Sequence, residues 1–112
     1  MLNNLKELCR LNGASGDEGA VRAFIIDKIK DNADYSVDSM GNIIAFKKGR
    51  GVPKNKIMLD AHMDEVGFII TSVQSDGALT FSEVGGIDPT VVIGRQVTVG
   101  SKGLIGVVGA KA

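Results

Sequence analysis

No tryptophan occurs in this 112-residue chain, and one tyrosine and four phenylalanines make up its aromatic supply. That scarcity argues against a carbohydrate site, which relies on aromatic platforms or many polar groups. The single cysteine, Cys9, cannot form an intramolecular disulfide, which suits a reducing compartment. It follows Leu8 on an apolar helical pattern, so a small boundary residue explains it better than a reactive thiol. Net charge is also missing, because thirteen basic and thirteen acidic residues cancel. With no basic stripe interleaved with aromatics, nucleic acid is not expected as a partner. No apolar run exceeds five residues, against the ~20 needed to cross a bilayer, so no membrane association is expected. The opening MLNNLKELCR carries no apolar core or cleavage signal. A cytoplasmic location is the expectation.

The residues present support a folded α/β chain. Apolar residues make up 44% of the sequence, enough for a core, and a domain of this size buries roughly 65% of its unfolded surface. Leu2, Leu5, Leu8 and Leu11 recur at helical spacing until Asn12-Gly13 supplies a stop. SGDE, from Ser15 to Glu18, matches a capping box with Ser15 as N-cap. Val21, Phe24, Ile25 and Ile29 then predict a second helix to about Asp31. Beyond it the pattern becomes one of strands: YSVDS, NIIAFKK, KIMLDA, VGFIITSV, ALTFSEV, RQVTV and LIGVVG, separated by turn residues. KIMLDA reads as a central strand, because its apolar residues run without alternation.

Composition shifts near residue 66. Nine of the fifteen glycines lie in residues 67–112, while twenty of the twenty-six charges lie in residues 1–66. The first part reads as α/β and the second as short strands with glycine turns. The basic stretch KKGRGVPKNK reads as a solvated loop. VGGIDP lacks the strand-to-helix context of a phosphate cradle and reads as a loop between strands.

The one histidine, His62, sits near three carboxylates, Asp60, Asp64 and Glu65. Three readings stay open on these residues alone: a metal site, a glycosidase-like acid pair, and a polar turn. Glycosidases hold two carboxyls ~5–5.5 Å apart for retention or ~6.5–9.5 Å apart for inversion, and Asp60 with Asp64 are the candidates for such a pair. In extended backbone, residues two apart share a side, so His62 and Asp64 face one site while Met63 and Glu65 point elsewhere. A carboxylate beside a ligating imidazole fixes its ring and raises its basicity.

LDAHMDEVGFII closely resembles the segment around the first metal ligand in the dinuclear metallo-aminopeptidases known as deblocking, glutamyl or tetrahedral aminopeptidases. NGASGDEGAVRAFI, VDSMGNIIAFKKG, VGGIDPTVVIGRQVTV and GLIGVVGAK resemble further family segments in the same order. Some members carry cellulase or endoglucanase labels, which nothing in these residues supports. The resemblance implies a phosphorylase/hydrolase-like catalytic domain interrupted by an inserted β-barrel that mediates oligomerisation. Residues 1–66 would be the N-terminal part of the catalytic domain, and residues 67–112 the incomplete start of the insert.

Carried over, His62 matches the first metal ligand. Asp64 matches the catalytic aspartate that supports the metal-binding histidine. Asp60 and Glu65 match no ligand position. In a complete member two zinc or cobalt ions activate a water that attacks the first peptide bond, with a glutamate as general base. The remaining ligands and that glutamate have no counterpart here, so the chain is expected to be an N-terminal fragment with at most one weak metal site and no activity alone. Peptide substrates and a homo-oligomer are expected for the parent. The alternative is a non-catalytic, self-associating β-rich module whose strands present unpaired edges.

Overall fold

The computed structural model describes residues 1–52 and 55–110. Two helices come first. α1 spans Leu2–Leu8, shorter than the leucine spacing predicts, and buries no residue. α2 spans Gly19–Ile29 and turns Val21 into the small core. The capping box does not form. Glu18, not Ser15, is the N-cap, and its carboxylate accepts the Gly16 N–H at 2.7 Å. A closer donor two residues back satisfies the carboxylate, so the reach to Ser15 is not made.

Three antiparallel hairpins follow, each a separate two-stranded sheet. β1 (Asp34–Val37) pairs with β2 (Ile43–Phe46), in register from Asp34 opposite Phe46 to Val37 opposite Ile43. One side chain organises their turn. Asp38 Oδ1 accepts from the backbone N–H of Met40 and of Asn42, both at 2.9 Å, and Oδ2 accepts from Asn42 Nδ2. Gly41 closes the turn at φ +89°, a conformation open chiefly to glycine.

β3 (Gly67–Val73) pairs with β4 (Leu79–Val84), with an irregularity between Ile70 and Ser72. The expected turn at Ser75–Gly77 is present: Gln74 N–H donates to Ala78 O at 2.8 Å, and the Asp76 carboxylate accepts from Ala78 N–H. Phe68 and Phe81 pack across this hairpin with ring centroids 4.5 Å apart. The connection to the last hairpin holds a short 3-10 turn, Pro89–Val91, capped by Asp88. β5 (Gln96–Val99) then pairs with β6 (Leu104–Val107). Arg95 O accepts from Val108 N–H, and Val108 is buried.

KIMLDA forms no strand, which corrects the sequence expectation. Ile57, Met58 and Leu59 are 88%, 86% and 92% exposed, and no described segment pairs with them. An apolar run suited to the middle of a sheet needs a backbone neighbour on each side, and these residues meet none. The basic loop of residues 47–56 is exposed where described, with residues 53 and 54 outside the described set.

The chain is extended rather than closed around a core. Its radius of gyration is 18.6 Å, against about 13 Å for a compact domain of this length. Its accessible surface is 9607 Å², against about 5,900 Å² for a folded monomer of this mass. Val21 and Val108 are the buried hydrophobic residues among those described. Among the described residues, no helix is long and apolar enough to cross a membrane.

Candidate functional site

His62 lies in the extended segment that leads into β3. A contact from the N-terminal loop fixes its position. Glu65 N–H donates to Gly13 O at 2.8 Å, and Ala14 and Glu65 form an isolated parallel bridge. Gly13 is required at this crossing. A Cβ there would stand 2.7 Å from Val21 Cγ2 and 3.6 Å from Met63 O.

The structure brings His62 and Asp64 together. His62 Nδ1 lies 3.0 Å from Asp64 Oδ1 and 3.1 Å from Asp64 O. Both partners are acceptors, so a hydrogen on Nδ1 satisfies them, and in that tautomer the Nε2 lone pair is left for a ligand. The imidazole is 86% exposed and the Asp64 side chain 40% exposed. The pair is therefore an open corner, not a core histidine.

A cavity of about 140 Å³ adjoins the pair, lined by Glu18, Arg22, Gly41, Asn42, His62 and Asp64 among others. Met63 also lines it, so the expected alternation holds for the pairing of His62 with Asp64 but not for the exclusion of Met63. Asp60 and Glu65 do not line it. Asp60 therefore makes no acid pair with Asp64 across this cavity, and Glu65 acts through its backbone.

Glu18 and Arg22 are the residues that sequence reading did not assign to the site. The Gly16 backbone N–H, helped by Glu18's own N–H and by nearby Arg22, holds the Glu18 carboxyl below its usual range; desolvation and, least, the negative charge of Asp64 oppose this. Glu18 thus stays ionised at the cavity wall. The signal for both was a glutamate four residues ahead of an arginine, which places them on one helix face.

The donor chemistry fits one metal ligand: an imidazole oriented through Nδ1 by a carboxylate. It does not complete a metal centre. A catalytic zinc takes three protein ligands, and among the described residues no group of three His, Cys, Asp or Glu is placed to hold an ion.

Residues 41–112 match the family model of M42 glutamyl aminopeptidase. The glutamyl aminopeptidase of Lactococcus lactis is 32% identical over 99 residues, covering 88% of this chain and 28% of that enzyme. A Thermotoga maritima protein whose crystal structure is named endoglucanase is 45% identical with a TM-score of 0.85, covering 96% of this chain and 34% of the other. The TET1 peptidase of Pyrococcus horikoshii, which can assemble into a tetrahedron or a large octahedral shell, is 43% identical with a TM-score of 0.82. That match covers 98% of this chain and 33% of the peptidase. The chain therefore spans about a third of the length of these relatives.

Proposed function

The chain belongs to the M42 glutamyl aminopeptidase family, and from that premise we propose that it is the N-terminal part of a metal-dependent aminopeptidase that releases N-terminal residues from peptides. The observation that carries the reading is the His62–Asp64 contact, which orients the ring and leaves Nε2 free. In this reading His62 is one ligand of a centre of two divalent ions, zinc or cobalt, and Asp64 is the carboxylate that fixes it. The other ligands and the general base come from chain beyond these residues, so the 112 residues alone are inactive. Ions held there would supply Lewis-acid activation of a water. The contribution of this chain is narrower: it holds the proton on Nδ1, aims Nε2, and walls the cavity with Glu18 and Arg22.

Residues 1–66 belong in this reading to the catalytic domain, and residues 67–112 open an inserted β domain through which subunits assemble. Both α-helices lie within residues 1–66, while residues 67–112 form the hairpins β3–β4 and β5–β6, which supports that division. An endoglucanase activity has no support in the cavity, whose described lining carries no phenylalanine, tyrosine or tryptophan.

The test uses the full-length polypeptide that contains these residues. Metal content and hydrolysis of aminoacyl-anilides and carboxymethylcellulose are measured for wild type, His62→Ala and Asp64→Asn. Anilide hydrolysis without cellulose hydrolysis is expected. His62→Ala should lose bound metal and activity together. Asp64→Asn should weaken metal binding about 10–100-fold, the usual range for a carboxylate behind a ligating histidine. Normal metal content and activity in His62→Ala would overturn the assignment.

A further inference from the structure

Arg22 lies within the first turn of α2, and its guanidinium crosses to the β1–β2 turn. Its Nη1–H donates to Gly41 O at 2.9 Å, joining residues nineteen apart in a partly buried contact. Among the described residues, no other side-chain hydrogen bond spans so much sequence. The space for it is reserved. Gly41 sits at φ +89°, and a Cβ added there would collide with the guanidinium.

The neighbours of Arg22 connect this contact to His62. Val21, the preceding residue, is buried and packs against Gly13. Gly13 O in turn accepts from Glu65 N–H at 2.8 Å, just behind the His62–Asp64 pair. Contacts therefore run from Glu65 through Gly13 and Val21 to α2, and from Arg22 onward to Gly41. Arg22 and Gly41 then line the same cavity as His62 and Asp64, which closes the circuit.

We infer that Arg22 is a positioning residue for the His62–Asp64 pair: its guanidinium holds the β1–β2 turn at the spacing from α2 at which the cavity beside His62 forms. This rests on His62 being a metal ligand. Arg22 itself donates only and cannot bind the ion. Its role is geometric: one charged N–H donor on the Gly41 carbonyl ties the β1–β2 turn to α2.

Cobalt binding to the full-length apo-protein, followed by visible absorption, tests this alongside thermal melting of the same samples. Arg22→Met keeps the length of the side chain but removes its donors. Cobalt affinity should fall about tenfold, as when an outer partner of a ligand is lost, without a matching fall in melting temperature. Arg22→Lys keeps a cation and a donor for Gly41 and should recover most of that loss. Gly41→Ala displaces the guanidinium and also strains the turn at φ +89°, so its cobalt affinity should fall together with its melting temperature. Unchanged affinity in both Arg22→Met and Gly41→Ala overturns the inference, as does a loss in Arg22→Met that merely tracks its melting temperature. His62→Ala in the same titration separates the two levels. If it leaves cobalt binding intact, the ligand assignment fails. If it abolishes binding while Arg22→Met is silent, only the positioning role fails.

Discussion

At the scale of single residues, Gly13 joins three segments: it faces Val21, lies under Met63 O and offers its carbonyl to Glu65. Gly13→Ala would force the Val21 methyl to move, because 2.7 Å is closer than a real Cβ contact allows. Overpacking of this kind costs about 1–3 kcal/mol, so the variant should melt at lower temperature by calorimetry of the full-length protein. The double variant Gly13→Ala with Val21→Ala should recover part of the loss, since contacting residues couple. An additive pair of losses would mean that the methyl contact is not the cause. His62 and Asp64 were legible at this scale because a spacing of two in extended backbone is enough to bring them together. Arg22 was not. Its partner is a backbone carbonyl nineteen residues away, and a carbonyl leaves no mark in a sequence.

At the scale of elements, the β1–β2 turn depends on one ionised group. The Asn42 side chain, then the backbone N–H groups of Asn42, Met40 and Gly41, hold the Asp38 carboxyl below its ordinary value of 3.8. A lowered carboxyl stabilises the folded form above its unfolded value, and that contribution is lost as pH falls through the lower folded value. The turn should therefore keep its structure between pH 5 and 8 and loosen only below about pH 3.8. Amide chemical shifts of Met40 to Asn42 are the readout, and Asp38→Ala should show the loosened shifts already at neutral pH. Loosening near pH 6 would contradict the Asp38 account. Hairpins such as this were readable in the sequence because the turn residues that direct them are local. KIMLDA misled for the opposite reason: its pattern records two-sided burial, which only distant segments can supply. SGDE misled on a finer point, since a capping box and a carboxylate bonded two residues back use the same letters.

At the scale of the whole molecule, surface decides behaviour. The chain exposes about 3,700 Å² more than a compact monomer of its mass, and Ile57, Met58 and Leu59 lie open on it. A standard stable interface buries about 1,200–2,000 Å², so the excess suffices for association. Expressed alone, the 112 residues should sediment as dimers or larger species whose size rises with concentration. The cause is the Ile57–Leu59 segment, whose apolar side chains are exposed and whose backbone pairs with no strand among the described residues. Met58→Lys, which places a charge in that segment, should shift the distribution toward monomer while leaving the signals of the β3–β4 hairpin unchanged. If the wild-type chain is monomeric at tens of micromolar, the open surface does not drive association, and the self-associating module loses its physical basis. If it associates and Met58→Lys does not relieve it, the contact lies instead on the exposed edges of the hairpins, with Leu104, Ile105 and Val107 the next positions to charge.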